Sequence, residues 1–207
     1  VAIRNPLNAL LNPHSDLQRR FVSEALQNQH NAALLERLPF LGLPDAWLVA
    51  GCLFQTVWNL HSGVAPTANI KDYDLFYFDG NDLSESAEQQ VQAQVAALFA
   101  DLPITVEAKN QARVHLWYER WFGYPYAPLQ SARNGIERFL VPCTCVGLQP
   151  ADNLSVNEST LYAPYGLEEL YAGLLKPNAA CPHLPLFQAK AESYRERWPW
   201  LTIRATA

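Results

Sequence analysis

Apolar residues recur along the chain in two rhythms, and the switches between them predict alternating helices and strands. Leu17, Phe21, Val22 and Leu26 share one helical face behind Ser15-Asp16, a pair able to cap a first helix. A second helix is predicted over roughly Ala32 to Leu38, ahead of Leu43-Pro44. Ala46 to Ala50 (AWLVA) is an unbroken apolar run that stops at Gly51, as a short buried strand does. From Cys52 to Leu60 the spacing of Leu53, Val57 and Leu60 is helical again, and His61 to Asn69, with Gly63 and Pro66, reads as a loop. Asp72 to Phe78 (DYDLFYF) is the clearest strand, closed by Asp79-Gly80-Asn81. Asp82-Leu83-Ser84-Glu85 has the form of a capping box and opens a helix through Val91, Val95 and Leu98. Ile104 to Ala108 alternates as a strand, and Gln111 to Phe122 is helical up to Gly123.

The last third reads differently. Tyr124 to Leu129 is proline-rich, and Ser131 can cap a helix reaching Leu140. Thr144 to Gln149 and Asn153 to Tyr162 suggest short strands or a hairpin. Gly166 to Leu175 and Leu186 to Trp198 suggest helices, parted by Lys176-Pro177-Asn178. The alternation predicts an α/β (or α+β) fold: a small mixed sheet flanked by helices, with a C-terminal extension. A single unit over 1–207 is expected. The proline-rich stretch also allows a division into a catalytic core, 1–123, and a C-terminal subdomain, 131–207.

Composition narrows the partners. Hydrophobic residues make up 49% and charged ones 17% of the 207, which describes an ordered globular chain. Lys and Arg number 15 against 20 Asp and Glu, and no basic run appears, so a grip on long nucleic acid is not expected. No apolar run is long enough to span a membrane, and the first residues lack a leader's apolar core. With Cys52, Cys143, Cys145 and Cys181 forming no CxxC pair, reduced thiols in a cytoplasmic protein are expected.

The chemistry concentrates around one strand. Side chains alternate along a strand, so Asp72 and Asp74 face one way and Tyr73 the other. Two carboxylates so close repel each other, and shared hard cations, two Mg²⁺ or Mn²⁺ ions, relieve that repulsion. Glu107, flanked by Val106 and Ala108 on the next predicted strand, is a third candidate ligand and a candidate base. Gly51, between strand and helix, lets backbone approach a phosphate at a helix N-terminus. An isolated Asp-x-Asp is most often a solvated strand face; Gly51 and Glu107 in the right order argue against that here.

AGCLFQTVWN (50–59), KDYDLFYFD (71–79), VEAKNQARVHLWYE (106–119), YAPYGLEELYAGLLKPN (162–178) and the Trp-Pro at 198–199 carry a resemblance. Together they resemble a bacterial nucleotidyltransferase-like family of unassigned substrate, within the polymerase-beta-like nucleotidyltransferase superfamily. The resemblance implies a sheet of the nucleotidyltransferase type and transfer of an NMP from an NTP with two divalent ions. It implies Asp72, Asp74 and Glu107 as catalytic and metal-binding residues. Around Gly51, the residues Cys52, Gln55, Lys71 and Arg113 are the nucleotide-binding candidates. The acceptor is expected to be a small molecule or a protein side chain. Cys52 stands where the superfamily often has Ser or Gly, and a thiol is a poorer phosphate donor. Cys52 therefore favours a rival reading as an inactive nucleotide-binding or interaction module; a metal-dependent phosphohydrolase is the other rival.

Further residues are weighed beside these. Asn59, one turn from Gln55, is another candidate for the nucleotide face, and Asn110 and His115 stand near the acidic motifs. Trp58, Trp117, Trp121 and Trp198 read as core aromatics, with stacking on a base as the alternative. Cys143-x-Cys145 with Cys181-x-His183 would make a Cys₃His zinc site, but the spacings are tighter than structural zinc sites use. Lys176, Asn178 and Lys190 belong to the resemblance without a role that spacing can assign.

Overall fold

A computed structural model describes residues 16–150, 159–181 and 183–204. Two helices, α1 (Asp16–Ala25) and α2 (Gln29–Arg37), precede β1 (Trp47–Val49), α3 (Gly51–His61) and β2 (Asp72–Tyr77). Then come α4 (Glu85–Leu98), β3 (Thr105–Asn110), α5 (Val114–Phe122), α6 (Ala132–Ile136), β4 (Gly147–Gln149) and β5 (Thr160–Tyr162). The chain closes with α7 (Glu168–Ala172), β6 (Leu174–Leu175), α8 (Leu184–Arg197) and β7 (Thr202–Ile203). No described helix is long and apolar enough to cross a membrane.

β1 to β5 form one mixed sheet in the order β3-β2-β1-β4-β5. β2 and β3 run parallel, joined through α4, and the other pairs are antiparallel. Tyr73, Leu75, Tyr77, Val106 and Ala108 point into the core, so the alternate residues Asp72, Asp74, Thr105, Glu107 and Lys109 share the opposite face. β4 and β5 extend the ladder beside β1, so a boundary after residue 123 would cut through the β1–β4 pairing. The free edge of β3 is covered by α4: the Gln92 amide donates to Val106 O and accepts from Ala108 N, and Glu88 accepts from Asn110 N. Those side chains occupy backbone groups that would otherwise invite another strand.

The C-terminal helix docks on α3 through aromatic rings. Trp58 packs edge-on against Phe54, Tyr194 and Trp198, with ring centroids 4.7, 5.5 and 5.2 Å away. Its indole N–H donates to Leu170 O, and that of Trp198 donates to Asn59 Oδ1. Both buried indoles are therefore satisfied, and the seam sets α8 over α3.

Several elements differ from the sequence expectations. α2 starts at Gln29, three residues early, because Asn28 accepts from His30 N as its cap. The cap of α4 is Ser84, which accepts from Ala87 N; Asp82 caps nothing and instead accepts from Ser84 N. Ser131 caps α6 as expected, but the helix stops at Ile136, well short of Leu140. The reason is tertiary: Asn178 captures the carbonyls of Glu137 and Phe139, and Pro142 follows. The helix expected over 166–175 is only α7, ended by Gly173 at φ +66° and followed by β6, whose pairing with β7 the sequence did not announce. The Ser15 cap and residues 153–158 of the expected hairpin lie outside the described residues.

Gly135 offers a local check on this packing. A Cβ there would overlap the buried Gln111 carboxamide, against which α6 is set. Gly135→Ala is expected to cost about 1–3 kcal/mol through overpacking, readable as a lower urea midpoint with unchanged slope.

Candidate active site

Parallel pairing places Asp74 directly beside Glu107, and Asp72 beside Thr105, on the face away from the core. β1 lies on the other side of β2, with Val49 opposite Asp74. The chain then turns sharply from β1 into α3. Ala50 takes φ 49° and ψ −109°, a conformation that favours glycine, and its N–H donates to Val146 O on the approach to β4. Its carbonyl accepts from Leu53 N and Phe54 N. The first turn of α3 thereby stands next to the carboxylates, with Gly51 at its tip. A Cβ on Gly51 would approach the Gln55 amide to 3.0 Å.

These parts line a cleft of about 330 Å³. Gly51, Gln55, Asp72 and Asp74 line it together with Tyr118, Arg138, Phe139 and Lys190. Gln55, Asp72, Lys190 and Tyr194 also border a second cavity of about 430 Å³, completed by Lys71, Arg197, Asn69 and Ser193. That second cavity holds three cations against one carboxylate, in a chain of net charge -5. Arg197 is held there by Gln55 Oε1 at 2.8 Å and Asn69 O at 3.0 Å.

The electrostatics single out Asp74. Burial pushes its carboxyl from the ordinary 3.8 up to about 7, and the charges of Asp72 and Glu107 push the same way. Lys109 and Lys190 only partly offset this. A bound cation would remove that penalty, so the all-oxygen donor set fits a hard divalent ion. As the side chains stand, no three of His, Cys, Asp and Glu among the described residues are arranged to hold a metal ion. Glu107 instead leans to Lys109, Oε2 to Nζ 3.4 Å.

The structure brings Gly51, Gln55, Lys71, Asp72 and Asp74 together around the two cavities, with Glu107 next to Asp74. It does not bring Arg113 there. The Arg113 guanidinium lies beyond the C-terminal end of β3, ion-paired with Glu88 and donating to Leu83 O at 2.8 Å. Asn110 is equally occupied, accepting from Asp79 N and Ala112 N. The Cys52 side chain is fully buried, its thiol donating to Val49 O at 3.6 Å and its pKa driven well up by burial. Only its backbone can serve an anion. Asn59 is buried and ties down the 62–71 loop through Pro66 O and Ala68 O. His115 Nδ1 is buried without a hydrogen-bond partner. Trp58 and Trp198 are core residues as expected, but Trp121 is 76% exposed.

The four cysteines are free and buried, and His183 stacks on Tyr124 with centroids 3.7 Å apart. No zinc cluster forms among the described residues. Lys176 pairs with Glu169. Sequence reasoning left Lys190 without a role and overlooked Arg138, Tyr194 and Arg197. Lys190 and Tyr194, one turn apart on α8, carry a helical spacing that could have flagged them only if the docking partner of α8 were known.

Comparison with known proteins agrees with this architecture. A protein whose NMR structure is described as revealing a CCA-adding enzyme head domain superimposes with a TM-score of 0.71 at 26% identity. The match covers 91% of this chain and 96% of that one. No curated protein matches significantly. The sequence model of the family described as Nucleotidyltransferase matches residues 36–203, the span that holds the sheet, the acidic face and α8, and the chain belongs to that family.

Proposed function

We propose that the protein is a metal-dependent nucleotidyltransferase that moves an NMP from an NTP to a hydroxyl of a small-molecule or protein acceptor. The observation that carries this reading is the register of Asp74 with Glu107, with Asp72 on the same face, beside the N-terminus of α3. Backbone N–H groups at Gly51 and Cys52, with the helix dipole, suit the β,γ-phosphates. Lys71, Lys190 and Arg197 suit the remaining charge of the triphosphate. Asp72 and Asp74 would hold the divalent ions, Mg²⁺ or Mn²⁺, and Glu107 would complete the second site on leaving Lys109. When bound, two such ions neutralise the phosphates and polarise the reacting oxygens. The acceptor oxygen would bond to the α-phosphorus as the bond to pyrophosphate breaks, and Glu107 would take the acceptor proton.

The description of the structural neighbour as a CCA-adding enzyme head domain favours a second reading, with a nucleic-acid end as acceptor. The net charge of -5 speaks against it, since a strand needs a basic track leading away from the site. Incubation of each NTP with Mg²⁺ or Mn²⁺ and an acceptor library, following released phosphates, tests the proposal. Pyrophosphate release that depends on an acceptor is expected. Inorganic phosphate instead would identify a phosphohydrolase, and nucleotide binding without either product a non-catalytic module. Tight RNA binding near physiological salt, with extension of the RNA end, would establish the second reading.

A further inference from the structure

α5 carries large apolar side chains that no other element among the described residues buries. Trp121 is 76%, Leu116 56% and Phe122 45% exposed, an unusual concentration of large apolar side chains on a single helix. Trp117, Trp121 and Phe122 line a cavity of about 330 Å³ whose polar members are Lys109 and Glu88. Glu88 is already occupied by Arg113 and Asn110 N, and Lys109 is paired with Glu107 at 3.4 Å, so Lys109 is the cation lining this cavity that an anionic ligand could draw over. The cavity adjoins the candidate active site in two ways. Phe122 is a wall of both, and Lys109 is ion-paired with Glu107 on the same face of β3. It lies on the Glu107 side of the acidic face, whereas the cationic cavity of Lys71 and Arg197 lies on the Asp72 side.

We infer that this cavity is the acceptor subsite, and that it takes a planar aromatic molecule bearing an anionic group; the assignment rests on the transferase reading above. The indole faces of Trp117 and Trp121 offer stacking surface, Lys109 receives the anion, and the size suits one small ring system with a short side chain. When an acceptor anion draws Lys109, the Glu107 carboxylate is freed toward Asp74 and the acceptor hydroxyl. Acceptor binding would thus complete the acidic site.

The test measures binding without nucleotide or metal, by quenching of tryptophan fluorescence, with 4-hydroxyphenylpropanoate as probe. Three references accompany it: 4-methylphenol lacks the anion, glycerol 3-phosphate lacks the ring, and Trp121→Phe keeps an aromatic face. Wild type is expected to prefer 4-hydroxyphenylpropanoate to both references. Trp121→Ala should weaken that binding about tenfold, with Trp121→Phe restoring most of it. Lys109→Gln should abolish the preference over 4-methylphenol. ATP·Mg²⁺ binding by Trp121→Ala should be unchanged, which also shows that the exposed-site variant is folded. Equal binding of the probe by wild type and Trp121→Ala, or no preference over glycerol 3-phosphate, would overturn the subsite. Pyrophosphate release with ring-free acceptors as fast as with aromatic ones would also overturn it while leaving the transferase reading intact. Probe binding as expected, but no pyrophosphate release with any aromatic acceptor, would remove the acceptor role, and the transferase reading would fall with it only if ring-free acceptors also gave none.

Discussion

Asp74→Asn is expected to lower nucleotidyl transfer by about a hundred- to ten-thousandfold, the usual range for losing a group that holds charge in the transition state. The same change should stabilise the metal-free protein. The native Asp74 carboxyl titrates near 7 and an unfolded one near 3.8, so the native state binds this proton more tightly. Its contribution to stability is fullest below about pH 4 and is lost as pH rises through 7. A shift of that size corresponds to at most about 4 kcal/mol, and relaxation will return less. Asparagine carries no charge to desolvate, so the variant's curve should lack this fall. Melting in EDTA at pH 5 and pH 8 checks it: wild type should lose more stability than the variant between the two. Adding Mg²⁺ and NTP at a hundred times the dissociation constant should add about 2.7 kcal/mol to wild type and little to the variant, closing most of the gap at pH 8. Parallel pH curves would refute the buried-charge account, and equal ligand shifts would refute the metal site.

Asn178→Ala should be among the costliest single changes to stability. Asn178 is buried, and its amide donates to Glu137 O at 2.8 Å and Phe139 O at 2.7 Å. Its Oδ1 accepts from Ala180 N at 2.9 Å, and its own N–H donates to Leu140 O. Alanine would remove the amide partner from the Phe139 carbonyl and the Ala180 N–H and leave Glu137 O with the Tyr165 hydroxyl alone, for a loss of about 2–4 kcal/mol. For a chain of this length that is roughly 5–15 °C in melting temperature. The segment so held, Arg138 to Val141, is a wall of the cleft, so KM for the NTP should rise severalfold while Asp74 stays in place. A melting temperature within 2 °C of wild type would show that the 137–141 segment holds itself.

Ala50 marks a limit on reading the turn before α3 from its letters. In the sequence it is one more apolar residue closing a buried run. In the fold it carries a positive φ, at a cost of about 1–3 kcal/mol, so that α3 can start beside β2. Trp121 is a second instance. Its helical spacing reads as core, yet among the described residues nothing packs over that face of α5 enough to bury it. The residues of α6 satisfy a helix up to Leu140, and the competing claim on their carbonyls comes from residue 178.

What the chain determined locally is the acidic face and its neighbourhood. The period of two in Asp72–Tyr77 sets Asp72 and Asp74 together, and the apolar neighbours of Glu107 fix which way it points, because a strand has only two faces. Gly51 after an apolar run is equally local. Tertiary structure alone decided three other matters. Parallel register put Glu107 beside Asp74, rather than Thr105 or Lys109. Docking of Trp58 against Tyr194 and Trp198 brought Lys190 and Arg197 to the cleft across more than a hundred residues. Packing also turned the Cys52 side chain and Arg113 away from the site. Periodicity is a property of neighbours along the chain, whereas register, helix docking and the partner of a charge depend on residues far apart in it.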